Sequence, residues 1–486
     1  MNPFASAIEL LADLRAGKTT STELTELYIR RIERHDGALN AVVVRDFERA
    51  RQMARAADQN GTAPLRGLPI TLKESLNVGG LGTTWGVPEW KGFVAQHDAP
   101  AWARLRAAGA VLLGKTNVPP MLADWQSANP IYGRTNNPWA LDRTPGGSSG
   151  GSAAALAAGL TALDVGSDIG GSIRVPAAFC GVYGHRPSET LLPKSGQLPI
   201  PTPPVPNAAV VMGVQGPLAR SAEDLELALS ILAGPEVGED VAWRVALPPA
   251  RHARLADFRV AVLPEIPWLP LDDQIAGAVE HLSSRLAALG CSVRRVQPEA
   301  LGNLREHHSL YRTLLSAVTS ARITAEERAR RIELGRMRDN EFARAYLRGL
   351  EGTAGDYIVW HARREQYRAA WRAFFRDWDV LLAPAINVLA YPHIARPWPM
   401  DDSDVTLTFT VGDQAVPYMN GLVYPAVSTV AGQPATAFPA GRSREGLPIG
   451  LQVIGPYLED LTPIRFAALL AREIGGFVKP DGYDAS

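Results

Sequence analysis

The sequence predicts an α/β fold, and three observations carry that expectation. Short apolar runs of strand length recur between helix-length segments that open at capping signals, the alternation that builds a sheet covered by helices. Hydrophobic residues make up 46% of the 486 and charged residues 20%, which is apolar material enough for a large core and too little charge for a disordered chain. No internal repeat and no low-complexity linker divides the chain, so 1–486 reads as one domain, although a prior of about 150 residues per domain would allow three.

The elements follow in order. Thr20-Ser21-Thr22-Glu23 is a capping box, and the helix it opens is expected to run to about His35. The apolar run 41–44 is followed by a helix over 46–57, a turn at Asn60-Gly61 and a buried strand over 68–73. A helix near 100–108 and a strand over 110–113 lead to the Gly/Ser-rich stretch 145–152 and the Ala-rich helix after it; 162–166 is again a strand. The segment 197–206, QLPIPTPPVP, is too dense in proline for regular structure and reads as a loop at the rim of a cleft.

The middle of the chain, about 268–378, reads as mostly helical. Between Ala321 and Arg372, 12 Arg interleave with 8 acids, and a second capping box opens at Thr324 to Glu327; solvated helix faces account for this better than a phosphate-binding patch. Trp360, Tyr367, Trp371, Phe374 and Trp378 fall on one helical stripe, which is expected to pack in the core rather than hold a ligand. Strands return at 380–383 and 446–455.

Charge and cysteine count exclude several functions. Lys+Arg 49 against Asp+Glu 50 leaves −1, without the basic excess of a dedicated nucleic-acid binder. Cys180 and Cys291 stand far apart and match neither a disulfide framework nor a zinc site. The first residues carry Glu9 and Asp13 and no basic n-region, and the most apolar stretch, 153–163, falls short of the roughly 20 residues of a membrane span, so a soluble cytoplasmic protein is expected.

Two motifs match on letters and fail on surroundings. Residues 109–116, GAVLLGKT, fit the phosphate loop of nucleotide hydrolases, but Val111-Leu112-Leu113 is a strand and Pro119-Pro120 follows where a helix should open. Residues 146–150, GGSSG, fit the nucleophile elbow, with His361 or His393 as a conceivable base. The preceding Leu141-Asp142-Arg143-Thr144-Pro145 is polar rather than a buried strand, so a glycine-rich connector with Ser152 as an N-cap explains the stretch. His307-His308 lacks companion ligands and reads as a surface pair.

The chemistry concentrates elsewhere. Asp168-Ile169-Gly170-Gly171-Ser172-Ile173-Arg174 follows a strand, and its paired glycines let successive N–H groups face one concavity beside the Ser172 hydroxyl; alone, the run would be an ordinary turn. Lys73 alters that balance. It ends an apolar strand, where desolvation lowers an ammonium pKa, and a neutral lysine suits a serine nucleophile that has no histidine. Ser148 supplies a hydroxyl able to relay a proton between Lys73 and Ser172.

These residues resemble the amidase signature hydrolases. The run 145–152 (PGGSSGGS), the run 166–174 (GSDIGGSIR) and the spacing 172 − 148 = 24 are similar to that family's signature. So are 69–75 (PITLKES), 114–117 (GKTN) and 446–452 (GLPIGLQ), and the resemblance covers most of the chain. It implies a large twisted mixed β-sheet surrounded by α-helices and a Ser-Ser-Lys triad: Ser172 as nucleophile, Ser148 as bridging serine after a cis peptide, Lys73 as base. It assigns the N–H groups of Ile169, Gly170, Gly171 and Ser172 to the oxyanion hole. Asp168 and Arg174 are expected to hold the loop's shape, with a surface ion pair as the alternative.

One departure bears on substrate. After the nucleophile, Gly184-His185-Arg186-Pro187-Ser188 leads to Glu189-Thr190-Leu191-Leu192, unlike the Gly-Leu-Lys-Pro-Thr block of many members. The stretches around Asn117, Asn129 and Asn137 look closer to the fatty acid amide hydrolase branch, which makes Met121, Leu122 and Trp125 candidates for an apolar acyl or aryl pocket, packing being the alternative. The resemblance implies hydrolysis of a small-molecule amide to acid and amine through an acyl-enzyme, with an aryl amide, ester or carbamate such as a urethane also open, and with no cofactor and no metal. Rival readings are a glutamine-hydrolysing amidotransferase component working in a complex and a non-catalytic scaffold.

Overall fold

The computed structural model describes residues 1–60, 62–198, 210–298, 301–321, 323–337, 340–396 and 407–484. Unbroken apolar runs become strands buried on both faces, as a sheet covered on both sides demands. In chain order the strands are β1 (Val42–Arg45), β2 (Pro69–Lys73), β3 (Val111–Thr116), β4 (Ala128–Asn129), β5 (Gly133–Arg134), β6 (Leu163–Asp168), β7 (Tyr183–Arg186), β8 (Val214–Ala219), β9 (Arg259–Val262), β10 (Ser292–Arg295), β11 (Val380–Pro384), β12 (Thr408–Val411), β13 (Gln414–Pro417), β14 (Ala435–Arg442) and β15 (Pro448–Ile454). Eleven of them form one mixed sheet in the order β1-β3-β2-β6-β8-β7-β14-β15-β11-β9-β10, while β4–β5 and β12–β13 are separate ribbons. Pairing is parallel across β3–β2–β6 and β11–β9–β10 and antiparallel elsewhere in the large sheet.

The helices are α1 (Ala7–Arg15), α2 (Ser21–Leu39), α3 (Phe47–Asn60), α4 (Pro100–Ala107), α5 (Gly150–Ala157), α6 (Arg174–Cys180), α7 (Ala222–Leu232), α8 (Asp273–Ala288), α9 (Leu304–Thr319), α10 (Ala325–Arg336), α11 (Glu341–Glu351), α12 (Ala354–Asp377), α13 (Val423–Thr429) and α14 (Leu461–Ile474). The sheet separates two apolar cores. Along β11, Val380 and Leu382 enter the core shared with α1, α2, α5, α7 and α14, whereas Leu381 and Ala383 enter the one filled by α9, α12 and α13. That alternation is the two-residue period of a strand.

Most expected elements are present, with instructive differences. α2 starts at its capping box but runs on to Leu39, because Asn40 adopts a left-handed conformation (φ 56°) and its N–H closes the last turn on the Asp36 carbonyl at 2.6 Å. The aromatic stripe of α12 is core: Tyr367 and Trp371 are buried, and Trp360, Phe374 and Trp378 pack against the same cluster. β3 takes in Gly114, Lys115 and Thr116, so the phosphate-loop match is extended strand. His307 and His308 are not a surface pair. Both are buried on α9, where Leu304, His307, His308 and Tyr311 share one face at spacings of three, four and seven, and the rings contact Tyr367, Tyr311 and Phe342. Residues 199–206 of the proline-dense segment lie outside the described residues, and among the described ones no helix is long and apolar enough to cross a membrane.

Candidate active site

The end of β2, the Gly/Ser loop and β6 meet at Lys73. β2 carries this residue at its C-terminal end, fully enclosed, because the strand lies between β3 and β6 in the sheet. Its Nζ donates to Ser148 Oγ at 2.6 Å and to Ser167 Oγ at 3.0 Å. Burial pulls the ammonium down to about 7, against the opposing pull of the Asp168, Asp164 and Glu74 charges.

The Gly/Ser loop puts its two serines to different uses. Gly147–Ser148 is a cis peptide. Gly147 has no room for a side chain, since a Cβ there would stand 2.4 Å from the Asp124 carbonyl. Ser148 Oγ meets Lys73, whereas Ser149 Oγ lies against the Ser167 backbone at 3.4 Å and Ser149 N–H donates to the Ser172 carbonyl at 3.1 Å. This last bond ties the loop of Ser148 to the loop of Ser172. Ser152 is no N-cap; it sits within α5 and its Oγ pairs with Thr116 Oγ1 at 2.8 Å.

Ser172 retains 7% of its surface where Ser148 keeps 1% and Lys73 none, so of the three it is the least enclosed. It sits at the turn between β6 and α6, where Gly171 takes φ +91° against Pro425. Among the described residues, the backbone N–H groups of Ile169, Gly170 and Ser172 have no acceptor. Gly171 differs: its N–H donates to Asp168 Oδ1 at 3.0 Å and is already committed.

Asp168 and Arg174 hold this turn from beneath, and they are no surface pair, both being completely buried. Arg174 Nε and Nη2 grip the two carboxylate oxygens at 3.0 and 2.9 Å. Its remaining donors reach the Pro425 carbonyl, Ser428 Oγ, Thr429 Oγ1 and Gln452 Oε1, which joins the C-terminal Gly450-Leu451-Gln452 run to the loop. Burial alone would raise the Asp168 carboxyl; the Arg174 bonds and charge, with Arg186 behind, hold it down at about 2. Every polar atom of such a buried pair must be matched, and here the guanidinium has a partner at each nitrogen.

Of the candidate pocket residues, the structure brings Trp125 to the loop: its Nε1 donates to the Gly170 carbonyl at 3.1 Å, and its ring packs on Gly421 and Tyr418. Met121 and Leu122 are half-buried in left-handed backbone, with their N–H groups on the Trp85 and Pro119 carbonyls. No histidine hydrogen-bonds to Ser148, Ser149 or Ser172 among the described residues. His361 and His393, the conceivable bases of an elbow, are among those that make no such bond, and His185 is engaged by Thr436 and Asp460. Ser167 and Tyr311, whose hydroxyl donates to the Ile169 carbonyl at 2.9 Å, were not singled out by sequence. For Tyr311 the shared face with His307 and His308 was the available signal; for Ser167 there was none beyond its place in the Gly166–Arg174 run.

The Amidase family model matches residues 23–462. The chain belongs to the amidase family. An indoleacetamide hydrolase of Bradyrhizobium diazoefficiens is 31% identical over 96% of this chain and 86% of its own. A component of the glutamyl-tRNA(Gln) amidotransferase of Thermus thermophilus is 33% identical over 95% of each chain. Among solved structures, 6-aminohexanoate cyclic dimer hydrolase with its substrate superposes with a TM-score of 0.78 at 28% identity, over 99% of this chain and 100% of that one. This amidase-family protein is accordingly an amidase signature hydrolase acting on amide C–N bonds, built on the mixed sheet with surrounding helices that the family shares.

Proposed function

We propose that the protein cleaves a carboxylic amide to acid and amine through an acyl-enzyme on Ser172, with Ser148 as proton relay, Lys73 as base and the whole chain as one domain. The 2.6 Å hydrogen bond between buried Lys73 Nζ and Ser148 Oγ carries this reading, because it joins an amine weakened by burial to a hydroxyl on the loop tied to Ser172. In the first step Ser172 Oγ attacks the carbonyl carbon while its proton passes to Ser148 and the Ser148 proton passes to neutral Lys73. The carbonyl oxygen takes up the negative charge and is received by the free N–H groups of Ile169, Gly170 and Ser172. The relay then runs in reverse to protonate the leaving amine, and water, activated the same way, releases the acid. Asp168 and Arg174 act as a rigid support for the loop, and Trp125, with Met121 and Leu122 as the other apolar candidates, favours an aryl or alkyl acyl group; the indoleacetamide hydrolase relative supports an arylacetamide as the first substrate to try. Esters and carbamates follow the same chemistry.

The amidotransferase relative supports a second reading, in which the chain releases ammonia from glutamine within a complex. Turnover of amides, anilides and carbamates by the isolated chain separates the two. The central experiment is covalent labelling with an alkyl fluorophosphonate followed by mass spectrometry: the adduct is expected on Ser172, and Ser172→Ala is expected to lose both labelling and turnover. An adduct on Ser148 or Ser149 overturns the assignment.

A further inference from the structure

The loop 169–172 is a row of peptide planes, and each of its carbonyls is held by one donor. Tyr311 Oη donates to the Ile169 carbonyl at 2.9 Å, Trp125 Nε1 to Gly170 at 3.1 Å, Val175 N–H to Gly171 at 2.7 Å and Ser149 N–H to Ser172 at 3.1 Å. A trans peptide is planar with its C=O and N–H pointing opposite ways, so a donor fixed on a carbonyl also fixes the direction of the next residue's N–H. The Gly170–Gly171 plane is held at both ends, because the Gly171 N–H is itself bonded to Asp168. The Ile169–Gly170 plane is held at one end only. Its N–H has no acceptor, and its direction depends on the Tyr311 hydroxyl at the other end of the plane. Gly170, lacking a Cβ, lies between Leu422 and that same hydroxyl: a Cβ there would stand 2.8 and 3.1 Å from them. A glycine flanked by glycine has no side chain of its own to stop the plane from turning.

We propose that Tyr311 is a positioning residue that aims the Gly170 N–H at the developing oxyanion, a role that rests on the reading of Ser172 as nucleophile. Tyr311 comes from α9, within the mostly helical middle of the chain, so that part of the protein contributes to the reaction site from behind. Burial pushes the phenol well above its ordinary range, which keeps its proton available to the Ile169 carbonyl across the working pH. The ring is locked among buried neighbours, with His308 stacked 5.7 Å away, so its hydroxyl has a set position.

The test measures the second-order rate at which an alkyl fluorophosphonate labels Ser172. In that step the Ser172 Oγ–P bond forms, the P–F bond breaks with loss of fluoride, the Oγ proton passes through Ser148 to Lys73, and charge gathers on the phosphoryl oxygen. Deleting an oxyanion donor outright costs about 10²- to 10³-fold; loosening its aim should cost less, about tenfold. Tyr311→Phe, with circular dichroism and melting unchanged within a few degrees, is expected to label at least about tenfold more slowly, with its pH profile still set by Lys73. Tyr311→4-aminophenylalanine keeps an N–H donor at the para position, is expected to recover part of the rate, and provides a second arm should the Phe variant not fold. Wild-type labelling rates in folded Tyr311→Phe, or equal rates in the Phe and 4-aminophenylalanine variants, overturn the proposal. Failure of the wild-type protein to label at Ser172 instead overturns the assignment of the nucleophile.

Discussion

Lys73 and Lys115 lie on adjacent parallel strands, both fully enclosed, and burial lowers both ammonium groups, to about 7 and about 8. By depth and chemistry they are near twins, and each falls in a sequence motif, Lys115 in the phosphate-loop match. Their acceptors differ. Lys73 Nζ holds the hydroxyls of Ser148 and Ser167, one on the Gly/Ser loop and one in the strand that leads to Ser172. Lys115 Nζ holds the Gly82 carbonyl, which has no proton to pass, and the Thr83 hydroxyl at 2.9 Å, and so ties the 82–83 turn to the sheet. A weakened lysine is therefore common to structural and chemical sites; the hydroxyl chain beyond the amine distinguishes them.

The hardest test of that distinction is Lys73→Ala. General acid–base catalysis typically contributes about 10²- to 10⁴-fold, so kcat/KM is expected to fall by at least the lower figure with the circular dichroism spectrum unchanged. Near-wild-type turnover, together with collapse on replacing His185, His307, His308, His361 or His393, would transfer the role of base to a histidine.

The pH profile sharpens the comparison. Lys73 accepts a proton only when neutral, so kcat/KM is expected to rise with pH through an apparent pKa near 7, the value set by its burial, and this inflection should vanish in Lys73→Ala. Stability carries the same signature with a definite sign. The folded pKa lies below a lysine's ordinary 10.5, so between about 7 and 10.5 the unfolded chain binds the extra proton, and this group's contribution to stability grows as pH rises across that window. Urea midpoints at pH 7 and pH 9, compared with those of Lys73→Met, measure it. A profile whose inflection survives in Lys73→Ala removes the lysine from the rate.

How much of this was legible follows from where each residue's partners sit in the chain. Lys73 was readable because a charge at the end of an apolar run is anomalous locally, and Ser148 and Ser172 because glycines flank them. The strands that complete the sheet were less so: β8 contains Gly216 and Pro217, β14 is short of branched residues, and β7 buries His185 and Arg186. Their burial comes from neighbours far along the chain, which no local pattern reports. The anchors of the 169–172 loop are of the same kind. Trp125 and Tyr311 reach it from 45 and 142 residues away, so sequence could mark the loop but not what orients it. Asp168 and Arg174 show the intermediate case: their proximity was visible, and their complete burial depended on Pro425, Ser428, Thr429 and Gln452 arriving from the C-terminal part.

The smallest expected effect belongs to Lys115→Met, and it tests the other half of the comparison. Methionine matches the length of the stem but offers no donor, so the Gly82 carbonyl and Thr83 hydroxyl lose their partner while the strand stays filled. Leaving a buried polar group unmatched costs about 1–3 kcal/mol, part of which is returned because the ammonium, still largely protonated at pH 7 with its pKa near 8, no longer has to be desolvated. The expected outcome is a modest fall in the urea midpoint at constant m-value, with kcat/KM within about threefold of wild type, since a change away from the reacting groups alters folding more than the transition state. The destabilisation should grow above pH 8, because the folded amine gives up its proton there while the unfolded lysine keeps its own up to about 10.5, so wild-type stability rises across that window and the methionine variant has no such gain. A loss of activity in Lys115→Met as deep as that of Lys73→Ala, with the fold intact, would mean that the 82–83 turn takes part in catalysis and that the two lysines are not distinguished by their acceptors.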